Sequence, residues 1–578
     1  MPNAPIRHRA RPLALGLLAS LVAPVVACEP APTEPVPDGR EVAAVDPADY
    51  GAVPLGETAY LVPVDARWVS PDGDDAGPGT AEQPWRTLGH AVVTAPGGST
   101  VVLRGGTYPE TVEVPATRRL TLQAAPGEAV WMSGSDEVTG WVAEGGAWVR
   151  PDFVSPFTAG SLDPSLVNAT FPMAGDPDMA FLDDAPLRQV GTRAAVVPGT
   201  FFVDDLARAL VIGDDPTGRR VEVAVRAEAL NVKSEGSVVR GIGFRHYATH
   251  ISRLGAVKAR AAGITFENDV FADNAAAGLS VMAPDARVLS STATGNGQLG
   301  IHADGADRLV VRDTLLRGNN RERFAAVASS GGIKITRSDG VALRDNLAED
   351  NLAHGLWMDM GSDGGTIVRN VSRRNFASGI IIEMSLGEVV ASNVSSDNEA
   401  GIIIAETSTV EIWNNTLVGN VRSVTVVDGR REPQPVDINL RNNVLAPRDT
   451  GSRPSLIVDD VTRTRSGADM RVTSDRNAYY RRSTADAPYL AAWANYPSGK
   501  WVMRTLAEVQ SKTGQERTTR ITENIATNPY VADAATGRYG LPAVSTLATA
   551  GMALPGGIAA VLGVPTGAPA PIGVLPPI

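Results

Sequence analysis

Between residues 240 and 450 the chain repeats one small pattern: a glycine, then apolar residues at every second position. It reads GLSVM at 278, GIHAD at 300, GIKIT at 332, GLWMD at 355, GIIIE at 379 and GIIIA at 401. Alternation with period two predicts strands, not helices. The steps between glycines are 22, 32, 23, 24 and 22 residues, a recurrence that predicts a solenoid of stacked coils. Asn274, Asn296, Asn351 and Asn375 stand four residues before a glycine, and Asn346, Asn370, Asn393 and Asn415 form a second series. Asparagine tolerates left-handed backbone and bonds its own main chain, so both series predict a corner repeated coil after coil.

Aligning the six strands on their glycines separates two faces. The first and third positions after glycine are Leu279/Val281, Ile301/Ala303, Ile333/Ile335, Leu356/Met358, Ile380/Ile382 and Ile402/Ile404, an unbroken apolar ladder for the core. The second and fourth hold Ser280/Met282, His302/Asp304, Lys334/Thr336, Trp357/Asp359, Ile381/Glu383 and Ile403/Ala405. Polar chemistry is thus gathered on four consecutive coils, which marks them as a groove.

Short strands in coils of about 22 residues with asparagine corners resemble the right-handed parallel β-helix, an all-β fold. The segment WVSPDGDDAGPGTAEQPWRTLGHAVVTAPGGSTVVLRGGTY, 68 to 108, is similar to the opening of extracellular members of that superfamily, with a short capping helix over about Trp85 to Ala95. NAYYRRS from Asn477 and TLAEVQSKTGQE from Thr505 resemble the closing segment. Caps meet a physical need, because an uncovered solenoid end exposes core and unpaired strand groups. Two stretches break the repeat. From 134 to 231 hairpin-like runs such as MAFLDDAPLRQV replace it, predicting a β-rich insertion. The long 32-residue step contains NNRERFAAVASSG, a loop expected to project beside GIKIT.

The N-terminus changes the setting. Arg7, His8, Arg9 and Arg11 precede an apolar run to Val26, and VVAC ends at Cys28, the chain's single cysteine. This layout is that of an export signal, and its end resembles the lipobox of bacterial lipoproteins, in which the cysteine is lipidated. The expectation is an exported protein anchored to a bacterial membrane through Cys28, its body in the periplasm or at the cell surface. EPAPTEPVPDG follows, rich in proline and acid, and predicts a disordered tether. The organisation expected is signal peptide 1–27, tether 28–65, cap and first coils 66–133, insertion 134–231, main β-helix 232–470, and C-terminal cap and tail 471–578. The formal charge is −12, and −15 once the leader's three arginines are set aside. An acidic body excludes nucleic acid as a partner. A monomer acting on a polysaccharide or oligosaccharide is expected.

Asp359 and Glu383 occupy one face position on adjacent coils, about 4.8 Å apart. Retaining glycosidases hold their two carboxylates about 5 to 5.5 Å apart. Lys334 near Asp359 is expected to favour its charge, and Ile381, Ile403 and Ala405 to disfavour that of Glu383. The roles predicted are nucleophile for Asp359, acid/base for Glu383 and a sugar-stacking wall for Trp357. A β-helix with an insertion and this Asp-then-Glu pair resembles glycoside hydrolase family 120, the β-helical β-xylosidases, which implies the same two roles for Asp359 and Glu383. A polysaccharide lyase is the alternative, with Lys334 or His302 as base and Arg337, Arg321 or Arg323 against a uronate carboxylate. Asp304, Asp359 and Glu383 would then hold calcium as aspartates do in family 9 pectate lyases, whose dense aspartate cluster is not evident here. A hydrolase needs no cofactor. A third alternative is a non-catalytic glycan-binding surface protein, with His302, Asp304 and Lys334 among its contacts. His246 and His250 in RHYATH read as corner residues, His354 as structural, and PDGDDAGPG as a turn.

Overall fold

A computed structural model describes residues 44–157, 164–251, 255–327, 329–449 and 451–575. The export signal, Cys28 and the first part of the tether lie outside the described residues.

Each coil contributes three short strands, and the strands stack in register into three sheets of thirteen strands. One full coil runs His354–Asp359, Thr366–Val368, Val371–Arg373 and returns at Ser378–Glu383. Nearly all pairings between coils are parallel, as in Ile333 beside Leu356 and Leu356 beside Ile380. The glycine-aligned strands all lie in one sheet, called here the groove sheet. Their inward residues join a continuous apolar core from Val69 to Val509. Gly355 sits where neighbouring atoms leave no room for a side chain: a Cβ there would lie 2.2 Å from Ser372 Oγ and 2.7 Å from the Gly379 carbonyl.

Both asparagine series are continuous ladders. Each amide Nδ2 donates to Oδ1 of the next coil, at 3.0 Å from Asn274 to Asn296 and 2.8 Å from Asn351 to Asn375. The first ladder also takes in Asn319, Asn398 and Asn420, and the second Asn443 and Asn477. The left-handed residue is not the ladder asparagine but its predecessor: Asp273, Asp345, Asp350, Arg369, Arg374, Asp397 and Asn414 all have φ near +55°. That turn points the predecessor outward, where Arg369 pairs with Asp345 and Arg374 with Asp350, and turns the asparagine in to satisfy buried carbonyls.

The insertion consists of a four-stranded antiparallel sheet and a five-stranded, largely antiparallel sheet between Ser135 and Ala224, packed around Phe201, Leu210, Ile212 and Val223. The coil resumes at Leu230–Val232, which pairs with Val112–Val114 of the coil before the insertion. A helix at Leu88–Thr94 covers the first coils, and a second at Leu506–Thr513 covers the last, entered through a capping box of Thr505 and Glu508.

Two expected boundaries change. Residues 44–65 are not a free tether: Val45 is buried with Leu347 and Val371, Gly51 N–H donates to the Asp313 carbonyl at 2.8 Å, and Tyr60 lies under Arg240. The apolar Val45, Tyr50 and Tyr60 interrupt the proline-acid composition and find partners on the coil surface. The coils also continue past 470, with Arg520–Glu523 pairing Ala478–Arg481. The final segment runs back along the outside of the coils, where Ile558 and Leu562 of a helix at Gly556–Leu562 cover Val368, Ala391 and Trp413.

Candidate active site

The outward face of the groove sheet carries a line of side chains in register: Lys258, Ser280, His302, Lys334, Trp357 and Ile381. A second line holds Asp304, Thr336 and Asp359, and Glu383 follows, one residue beyond the Met358–Ile382 pairing. At its centre Lys334 Nζ lies 2.9 Å from Asp359 Oδ2 and 3.6 Å from the centre of the Trp357 ring. One ammonium therefore joins the carboxylate and the indole face. Asp359 is 4% exposed, and burial raises its carboxyl above the ordinary range despite the opposing pull of Lys334. The Glu383 charge on the next coil adds to that rise.

Glu383 meets Arg431, which also contacts Glu406 at 2.7 Å. Burial raises the Glu406 carboxyl, with Arg431 opposing the rise. The strip thus holds three carboxylates, Asp359, Glu383 and Glu406, with Lys334 on the first and Arg431 on the other two. Beyond it Arg465 pairs with Asp428 at 2.5 Å.

Sequence alignment on the glycines missed Glu406 because it stands one residue past the fourth position, in GIIIAE. It missed Arg431 because that residue comes from the loop after Arg422–Asp428, 48 residues from Glu383.

Several expectations need correction. The environments of the pair differ from those expected: Asp359 is the buried carboxyl whose charge is disfavoured, and Glu383 is enclosed not by isoleucines alone but by a guanidinium. Trp357 is 3% exposed and is not an open stacking wall. One face is taken by Lys334, and the His354 ring meets it edge-on at 4.8 Å. His354 in turn holds the Ala326 carbonyl of the long loop at 2.7 Å. Arg321 and Arg323 serve the insertion side: Arg321 pairs with Asp273 at 2.6 Å, and Arg323 lies over Phe171. That loop is bound to the insertion by a Val167–Phe324 bridge, and among the described residues the partners of its arginines do not include Asp359. His302 is buried on the Ser280 hydroxyl at 2.9 Å, and burial pulls its imidazole down to about 4. Asp304 accepts from Thr336 Oγ1 at 2.8 Å and pairs with the exposed Arg337; these two lie at the edge of the strip.

Among the described residues one set of metal-type donors converges, Asp184, Glu222 and His246. Arg220 pairs with both carboxylates and Arg245 with Asp184, while Phe181 stacks on the imidazole at 3.7 Å. Two guanidinium charges already fill the role of a cation there.

The chain matches the family described as the right handed beta helix region over residues 254–420 and 330–445. A stretch of 50 residues is 52% identical to the uncharacterized protein YwoF of Bacillus subtilis, covering 9% of this chain and 11% of that protein. Another of 75 residues is 40% identical to pectate lyase PEL9 of Emericella nidulans, covering 12% and 18%. The chain thus aligns with less than a fifth of the length of either relative. Among solved structures, the complex of XylC with xylose superposes with a TM-score of 0.58 at 15% identity, covering 81% of this chain and 87% of that one. At that identity the likeness is one of fold. The body of this protein is folded as a right-handed parallel β-helix, and the stretch that matches the family lies within it.

Proposed function

We propose that this protein is a carbohydrate-active enzyme, a retaining glycoside hydrolase with Asp359 and Glu383 as its catalytic pair. Asp359 as nucleophile and Glu383 as acid/base follow the resemblance to family 120, while burial of Asp359 and the Arg431 guanidinium on Glu383 run the other way. The observation that carries the reading is the run of carboxylates on neighbouring coils of one outward face, each engaged by a cation. Adjacent strands lie about 4.8 Å apart, which suits two carboxylates that act from either side of one anomeric carbon in the retaining manner. In the first step an Asp359 oxygen bonds to the anomeric carbon while the leaving oxygen takes the Glu383 proton. In the second, Glu383 removes a proton from water as its oxygen attacks that carbon and releases Asp359. Arg431 lies on Glu383 in the free protein, and Glu406 offers it a second partner when a sugar reaches Glu383. The resemblance to family 120 and the fold shared with xylose-bound XylC support the same class, and the sugar and linkage stay open in this proposal.

The test is hydrolysis of a panel of oligosaccharides and aryl glycosides by Asp359→Asn and Glu383→Gln. Removing a nucleophile costs on the order of 10⁴-fold or more in turnover. Undiminished activity in both variants would sink the assignment.

The stretch similar to pectate lyase PEL9 favours a second reading, β-elimination with Lys334 as base. Its signature is an unsaturated, ultraviolet-absorbing product end, together with calcium dependence if Asp304, Asp359 and Glu383 take a cation. Against it, Lys334 is already engaged by Asp359 at 2.9 Å.

The same proposal includes export and lipid anchoring at Cys28. Metabolic labelling with a palmitate analogue is expected to mark the wild-type chain and to be lost in Cys28→Ala; equal labelling of both would contradict it.

A further inference from the structure

Two buried polar atoms at the centre of the strip have no hydrogen-bond partner among the described residues: the Trp357 indole Nε1 and Asp359 Oδ1. Both side chains are more than nine-tenths buried. They stand two residues apart on one strand, on the same face, bridged by the Lys334 ammonium. A buried donor or acceptor left unpaired is costly, so a native protein that keeps two on one strand face has something to put there. One is a donor and the other an acceptor. That combination matches a neutral hydroxyl, which accepts with its oxygen and donates its hydrogen.

We infer that Trp357 Nε1–H and Asp359 Oδ1 together form a subsite for one ring hydroxyl of a pyranose. The ligand class rests on the carbohydrate reading above. Stacking on Trp357 is closed off, because Lys334 and His354 occupy the ring. The indole therefore reads its ligand through its one N–H. A site built on such bonds discriminates strongly against an analogue that lacks the hydroxyl, since both protein atoms are then left unpaired.

The experiment uses the full chain labelled with ¹⁵N-tryptophan. Trp357 is one of nine tryptophans, and its indole signal is assigned as the one missing in Trp357→Phe, which keeps an aromatic ring for Lys334 and His354. The probes are D-xylose, D-glucose, D-galactose and D-glucuronate, with tetrahydropyran as the same ring without hydroxyls. At least one sugar is expected to shift the Trp357 indole signal while tetrahydropyran does not, and Trp357→Phe should weaken that sugar's binding about tenfold. A Trp357 signal unmoved by all four sugars, or moved as much by tetrahydropyran, would overturn the inference. The two proposals fail separately. A shifted indole without hydrolysis that depends on Asp359 and Glu383 removes the hydrolase and keeps the subsite. Hydrolysis with an unmoved indole does the reverse.

Discussion

Lys334 does two jobs with one ammonium, and both can be measured. Replacing it with methionine keeps most of the volume but leaves Asp359 buried without its cation. Breaking such a pair costs about 3 to 5 kcal/mol. The sign follows from Asp359, whose carboxyl is already raised by burial and would rise further. A raised carboxyl contributes most to stability while it is protonated and loses that contribution as pH rises through its folded value. Thermal unfolding of Lys334→Met is therefore expected to sit close to wild type at acid pH and to fall well below it at pH above neutral. An equal deficit at all pH values would mean that only packing was lost.

Glu388 makes the same argument without a cation. It is buried, neither carboxyl oxygen has a hydrogen-bond partner among the described residues, and burial, with Asp363 and Asp339 nearby, pushes it up to about 8. The protonated form is thus favoured in the folded chain, and the stability it contributes declines between its ordinary value of 4.5 and about 8. Glu388→Gln should unfold at nearly the wild-type temperature at pH 4 and several degrees higher at pH 9. A wild type whose unfolding temperature does not fall over that window, relative to the variant, would contradict this.

At the scale of the element, the coil strand works because its two faces carry different duties. Gly355 admits the close approach of Ser372 and Gly379 at the start of a strand whose alternation sends Leu356 and Met358 into the core and Trp357 and Asp359 out of it. A Cβ there meets Ser372 Oγ and the Gly379 carbonyl far inside contact distance. Gly355→Ala should lower the unfolding temperature and weaken ligand binding together, whereas the same change at exposed Gly361, which meets nothing, should leave packing intact at the cost of its left-handed φ of 79°. The strand faces and the asparagine corners were legible in the sequence because both rest on local chemistry repeated six times. Which residue of each corner pair turns left-handed was not, since Asp-Asn and Arg-Asn offer two candidates and only the ladder between coils decides. The groove was legible as a cluster and misread in its details. Strand alternation gives Trp357 its direction but not its cover, and the cover comes from Lys334 and His354.

The whole molecule adds what no single coil contains. Arg431 arrives from a loop, the long loop is fixed by the insertion through Val167 and Phe324, and the final segment lies along the outside of the stack. These contacts join residues far apart in the chain, such as Leu575 N–H on Ser392 Oγ at 2.9 Å, 183 positions away, and no periodic signal announces them. The alanine-, proline- and glycine-rich tail carries no repeat, yet Leu554, just before its helix at Gly556–Leu562, and Ile558 and Leu562 within it are buried against the coils. The carboxylate strip, by contrast, was anticipated for its first two members because both lie on the repeat.

The central claim is that Asp359 and Glu383 cleave glycosidic bonds in the retaining manner, and product analysis tests it most directly. Incubation of the purified chain with the glycan panel, followed by nuclear magnetic resonance of the freshly released sugar, is predicted to show new reducing ends that keep the anomeric configuration of the substrate. These products should disappear in Asp359→Asn and Glu383→Gln. Unsaturated ends, an inverted anomer, or wild-type product levels in both variants would contradict the account.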